Sequence, residues 1–191
     1  MKVLAATGNK GKIREFSQIL TPLGFEVVSQ KDIGLDIDPE ETGETFAENA
    51  KIKAIAFMQA SNMPVIADDS GLMVDFLGGA PGVYSARYAE GSDKDRYEKL
   101  LINMEDAKDR TARFVSSVCM VFPDGKTVEA EGSCEGVIAH SPSGENGFGY
   151  DPVFYIPQMG KTIAEMSADE KNAISHRGMA LRLLAEKLEN K

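Results

Sequence analysis

Apolar residues recur along this chain with two periods, and the changes between them mark its elements. Residues 2–6 form a short apolar run of strand type. Thr7-Gly8-Asn9-Lys10-Gly11-Lys12 interrupts it, and Ile13, Phe16, Ile19 and Leu20 then fall at helical spacing. A helix over about 11–20 is predicted, closed by Pro22 and Gly24. Residues 25–30 read as a second strand. The acidic loop 32–41, which bears Pro39, leads to a helix over about 45–60 whose buried stripe is Ala47, Ala50, Ala54 and Phe57. Asn49 and Lys53 stand one turn apart on the shoulder of that stripe.

Residues 63–67 read as a buried strand that ends in two adjacent carboxylates, Asp68 and Asp69, with Ser70 and Gly71 as a turn and 72–76 as a renewed strand. The Gly78–Gly82 glycine-rich loop follows. Next comes a helix capped by Ser92 or Asp93, with Tyr97, Leu100, Leu101 and Met104 facing its core. Strands 112–122 and 127–133 flank a Pro-Asp-Gly-Lys turn, and 137–139 extends the second. A strand over 153–156, a short helix capped by Ser167 and a last helix opened by Ser175-His176-Arg177-Gly178 complete the chain. Ala180, Leu183, Leu184 and Leu188 face the core from that last helix. Strands alternating with helices, then a hairpin, then helices predict an α/β fold with a mixed sheet.

Composition narrows the partners. The 191 residues suffice for one domain with a substantial core. The net charge of −9 argues against duplex nucleic acid or an anionic membrane surface, both of which bind basic proteins. A small phosphorylated ligand needs only a few local cations and stays open. The longest uncharged run, 54–67, is polar in places and too short for a bilayer, and residues 1–2 lead straight into a strand without a signal-peptide pattern. Cys119 and Cys134 flank the hairpin turn without facing each other, so free buried thiols in a reducing cytosol are expected.

Four stretches carry candidate chemistry. The Thr7–Lys12 turn between a strand and a helix suits an anion, through helix-start amides and lysines; it equally suits a plain connection with solvated lysines. It lacks the spacing of a P-loop and the glycine pattern of a dinucleotide fold. Asp68 and Asp69 alternate across a strand, so one of them faces a given cleft. Such an acid can hold a hard cation or take a proton from water, or it can simply cap a turn. Gly147-Phe148-Gly149-Tyr150-Asp151-Pro152 sets an aromatic ring beside an acid, fit for stacking on a purine or for packing a turn. His176 and Arg177 stand at a helix start, against the helix dipole, which points away from a purely helical role.

Taken together, these motifs resemble those of the inosine triphosphate pyrophosphatase family, the house-cleaning dITP/XTP pyrophosphatases. The matching pieces are T-G-N-K-G-K-I-R-E over 7–15, E-E-T-G-x-T-F-x-E-N-A over 40–50 and A-D-D-S-G-L over 67–72. G-G-A-P-G-V-Y-S-A-R-Y over 78–88, G-F-G-Y-D-P over 147–152 and S-H-R-G-x-A over 175–180 follow in the family's order. The resemblance implies an elongated mixed β-sheet flanked by helices in one domain with two lobes, a cytoplasmic homodimer, and Mg²⁺-dependent hydrolysis of ITP, dITP or XTP to monophosphate and pyrophosphate. It also implies the roles. Asp69 would be general base and, with Glu40, a Mg²⁺ ligand, with the adjacent Glu41 as the alternative to Glu40. Thr7, Gly8, Asn9, Lys10, Gly11, Lys12 and Lys53 would hold the phosphates. Ser70, Phe148, Gly149, Tyr150, Asp151, Lys171, His176 and Arg177 would bind the nucleoside. The rivals are an enzyme of the related Maf type, which a substrate panel separates, and a nucleotide sensor that releases no pyrophosphate.

Overall fold

The computed structural model describes residues 1–189. Among them, seven strands form one mixed sheet in the order β2-β1-β3-β4-β5-β6-β7. The strands are β1 (Lys2–Ala5), β2 (Glu26–Ser29), β3 (Val65–Val74), β4 (Thr111–Val121), β5 (Thr127–Ile138), β6 (Phe154–Ile156) and β7 (Lys161–Thr162). The helices are α1 (Lys10–Leu20), α2 (Phe46–Ser61), α3 (Asp93–Asn103), α4 (Ala168–Ile174) and α5 (His176–Glu189). Contacts divide the described chain into two units, one of residues 1–69, 116–132 and 176–189, the other of 70–115 and 133–175, so β3, β4 and β5 each run through both.

In the first unit β1 pairs in parallel with β2 and with β3, which requires the helical crossovers α1 and α2. The sheet is apolar on both faces, as a covered parallel sheet must be. Val3, Ala5, Ile66, Val118 and Met120 pack with Phe16 and Leu20 of α1 and Ala180, Leu181 and Leu184 of α5. Leu4, Ala6, Val65, Ala67, Cys119 and Val121 pack with Ala50, Ala54 and Phe57 of α2. Gly132 lets α5 approach β5, because a Cβ there would stand 2.4 Å from the carbonyl oxygen of His176. In the second unit Leu72, Val74, Leu100, Met104, Phe114, Ile138, Phe154 and Ile163 form the core. Both cysteines are buried free thiols, their pKa values pushed up by burial to about 12 for Cys119 and about 11 for Cys134. Among the described residues no helix is long and apolar enough to cross a membrane.

Several expectations need correction. Ser70 and Gly71 do not turn the chain; β3 continues through them to Val74, since Leu72 and Val74 supply core residues to the second unit and burial outweighs turn propensity. Ala47 is exposed, and Phe46 and Asn49 take its place on the buried face of α2. On α5, Ala180 and Leu184 are buried as expected and Leu188 packs against them, but Leu183 is 38% exposed and Leu181 is buried in its place. Strand β5 is continuous from Thr127 to Ile138, and β7, two residues long, is too short to carry a periodic signal.

Candidate active site

The first unit gathers its polar residues at the carboxyl end of β1 and in the middle of β3. Ala5 is in register with Ile66, which brings Thr7 and Asp68 to the same level two residues further on. In the turn after β1 the N–H of Asn9 donates to Thr7 Oγ1 at 3.1 Å, and Asn9 Oδ1 accepts from the amides of Gly11 at 2.8 Å and Lys12 at 3.2 Å. Asn9 is therefore the N-cap of α1. The amides of Gly11 and Lys12, expected to face an anion, are satisfied by this cap. Gly8, Asn9 and Lys10 lie exposed on the turn, and Lys12 is half-buried.

Asp68 and Asp69 point to opposite faces of β3. On the α1 and α5 side, Asp68 Oδ2 accepts from Arg177 Nε at 2.9 Å, and Lys12 Nζ stands 3.1 Å from Oδ1. Arg177 Nη1 also donates to Glu15 Oε2. Burial alone would raise the pKa of Asp68, but Lys12, Arg177 and Lys53 together hold it well below the usual carboxylate range. For Arg177, burial works against the charge and Asp68 and Glu15 more than restore it. For Lys12 burial wins, and its pKa is lowered despite Asp68. These partners answer the dipole conflict at the start of α5: Arg177 is neutralised by two buried acids.

On the α2 side, Asp69 Oδ2 accepts from Asn49 Nδ2 at 3.1 Å, and Asn49 Oδ1 accepts from the amide of Gly43 at 2.8 Å. A Cβ on Gly43 would lie 2.7 Å from that oxygen, so the glycine is what admits the contact. Thr45 and Glu48 form a capping box that starts α2 just before Asn49. Lys53 Nζ donates to the backbone oxygen of Asp68 at 3.1 Å and pairs with Glu41 at 2.6 Å. Its pKa is raised: burial opposes the charge, but Asp68, Glu41 and Asp69 outweigh it. Burial raises the pKa of Asp69, against the pull of Lys53, and Glu41 adds to the rise. The result is a desolvated carboxylate held in one orientation, the state expected of a proton acceptor. Glu40 is exposed on the loop before α2. His176 is buried at the first position of α5.

The second unit holds Ser70 on β3 and the loop 147–152. Asp151 Oδ2 accepts from the amide of Phe148 at 2.9 Å and from Lys171 Nζ at 2.8 Å. Lys171 Nζ also lies 4.4 Å from the centre of the Phe148 ring. Gly147, at φ +81°, is obligatory: a Cβ would stand 2.1 Å from Asp151 Oδ2. The amide of Gly149 donates to Asp93 Oδ2 at 2.7 Å. Tyr150 is buried, and its hydroxyl donates to the Ser85 carbonyl at 2.7 Å; burial raises its pKa, so it stays neutral and anchors the loop.

Within the first unit the structure thus unites Lys12, Lys53, Asp68, Asp69 and Arg177; within the second it unites Phe148, Asp151 and Lys171. Sequence reading gave no site role to Glu15, Asn49 or Ser85, and read Asp93 only as a candidate helix cap. Glu15 follows Lys12 by one helical turn and Asn49 precedes Lys53 by one, which is the signal that was available.

The chain is similar to known proteins over nearly its whole length. The profile of the Ham1 family matches residues 3–187. A dITP/XTP pyrophosphatase of Pectobacterium atrosepticum is 49% identical over 195 residues, covering 99% of this chain and 98% of the relative. One from Thermus thermophilus is 51% identical over 189 residues, covering 97% and 91% respectively. The solved structure of the Staphylococcus aureus Ham1 protein superposes with a TM-score of 0.89 at 45% identity, covering 100% of this chain and 99% of that one.

Proposed function

The chain belongs to the Ham1 family, and from that premise we propose that it hydrolyses the non-standard purine nucleoside triphosphates ITP, dITP and XTP to the monophosphate and pyrophosphate. The observation that carries this reading is Asp69, a buried carboxylate of raised pKa fixed by Asn49. It acts as general base, taking a proton from the water that attacks the α-phosphorus. Lys12 and Lys53, with the exposed turn Thr7, Gly8, Asn9, Lys10 and Gly11, balance the polyphosphate charge.

A divalent cation, Mg²⁺ in this reading, fits the donor set. The acids here are oxygen ligands only, and among the described residues no cluster of three or more His, Cys, Asp or Glu forms a cage. Mg²⁺ favours one or two carboxylates plus substrate oxygens. In this reading Asp69 and Glu40 hold the ion, and Glu41, which pairs with Lys53 and whose charge acts on Asp69, is the alternative to Glu40. When bound, the ion offsets phosphate charge and lowers the pKa of a coordinated water.

Phe148 stacks on the base, with Asp151 and Lys171 placed by the ring contact and ion pair described above. Gly149, Tyr150 and Ser70 line the nucleoside, and His176 and Arg177 serve the base edge. A donor aimed at O6 disfavours adenine, whose amino group would leave that donor unpaired. The family reading adds one domain of two lobes working as a cytoplasmic homodimer.

The test is pyrophosphate release from ITP, dITP, XTP, ATP and GTP, with Mg²⁺ or with EDTA. Higher kcat/KM for the first three, abolished by EDTA, is expected. Asp69→Asn should lower kcat by about 10²–10⁴. Equal rates on all five substrates, or near-full turnover by the variant, would refute the reading.

A further inference from the structure

Four ionisable side chains of the first unit form a chain of contacts that alternates in sign and whose two ends share helix α1. Lys12 faces Asp68 at 3.1 Å, Asp68 accepts from Arg177 at 2.9 Å, and Arg177 donates to Glu15. Lys12 and Glu15 sit three residues apart on α1, so the helix itself closes the circuit. Asp68 and Arg177 are each 1% exposed and Glu15 5%. Lys12 alone reaches outward, with 16% of its side chain accessible.

Stability gives little reason for such an arrangement. Burying ions costs several kcal/mol each, and well-packed apolar replacements for buried pairs are often neutral or better (about 1–4 kcal/mol more stable). Geometry gives a stronger reason. Two points on α1, one turn apart, are tied to β3 and to the start of α5, which fixes both the rotation and the axial position of the helix that carries Lys12. Asp68 Oδ1 has no hydrogen-bond partner among the described residues. Lys12 Nζ stands 3.1 Å from that oxygen, and an ammonium with three donors has others to offer a phosphate oxygen.

We propose that Glu15 is a positioning residue for phosphate binding: by holding Arg177 it fixes Asp68, and Asp68 in turn holds the Lys12 ammonium toward the polyphosphate. This rests on the pyrophosphatase reading for the identity of the ligand. Without the Glu15 charge, Arg177 turns to both oxygens of Asp68, a bidentate arrangement guanidinium favours. Lys12 then loses its anchor.

The decisive experiment is a double-mutant cycle of Glu15→Gln and Lys12→Met, read by calorimetric titration with inorganic pyrophosphate and by steady-state hydrolysis of dITP. Glu15→Gln should raise both Kd and KM about tenfold, with kcat less affected, and should add no further loss in the Lys12→Met background. Pyrophosphate affinity equal to wild type in Glu15→Gln overturns the proposal. So does a Glu15→Gln factor that persists in full without Lys12, since a merely structural role would be independent of the lysine. Should Glu15→Gln not fold, Glu15→Asp decides: it keeps the charge but is one methylene short, and a loss of pyrophosphate affinity that disappears in Lys12→Met is again required. A wild-type chain that binds pyrophosphate but releases none from dITP overturns the activity reading, and the titrations still decide the positioning role.

Discussion

Arg177→Met offers a direct measure of how the acids of the first unit are held. Arg177 heads the fully buried side chains by volume among the described residues, and its guanidinium serves Asp68 and Glu15. Methionine would occupy much of the stem but would take from the buried carboxylates of Asp68 and Glu15 the guanidinium they share. Removing one member of a buried ion pair costs about 3–5 kcal/mol, because the stranded charge keeps its desolvation penalty. In a chain of this length each kcal/mol lowers Tm by about 2–4 °C, so the expected fall is roughly 6–20 °C. Calorimetric melts at neutral pH measure it.

The pH dependence supplies an internal check. Asp68 is held below its ordinary value of 3.8, so its stabilisation is present above that value and is lost as pH falls through the depressed folded pKa. Arg177→Met relieves part of that depression, since Lys12 and Lys53 remain. The wild-type advantage should therefore shrink on acidification, and the two Tm curves should converge below the ordinary value. Adding Glu15→Gln to Arg177→Met should recover part of the loss, since one stranded charge is removed. A variant that melts within about 2 °C of wild type at neutral pH would refute the reasoning, because that corresponds to no more than about 1 kcal/mol.

Two further outcomes are expected. The acid limb of kcat/KM for dITP should lie above 3.8, because burial raises the pKa of Asp69 and the base works only when charged; an alkaline limb should lie below 10.5, because burial lowers that of Lys12. A pH-rate profile checks both, and an acid limb at or below the ordinary value would count against Asp69. Gly147→Ala should raise KM at least several-fold and lower Tm, since a left-handed residue at φ +81° and a Cβ 2.1 Å from Asp151 Oδ2 together cost about 2–5 kcal/mol and displace the acid that holds Lys171. Steady-state kinetics and a melt decide it; an unchanged KM would separate Asp151 from the nucleoside.

Much of this protein was legible in its sequence because the determining forces there are local. The helical recurrence of Ile13, Phe16 and Leu20 and the Pro22 and Gly24 stop depend on neighbours a few residues away, and the structure places α1 and α2 within a residue or so of the expected bounds. The opposite facing of Asp68 and Asp69 follows from strand geometry alone. The motifs over 7–15, 40–50 and 67–72 were enough to point to the family.

What the tertiary structure decided concerns groups far apart in the chain. That Ser70 and Gly71 lie in a strand rather than a turn was fixed by the burial of Leu72 and Val74 in a core drawn from residues up to a hundred positions away. That Arg177 is neutralised by Glu15, 162 residues distant, and that Asn49 rather than a charged group orients Asp69, could not be read from spacing. A charge in a sequence has no dielectric until the fold surrounds it; only then do Asp68 and Asp69, identical neighbours in the chain, acquire pKa values displaced in opposite directions.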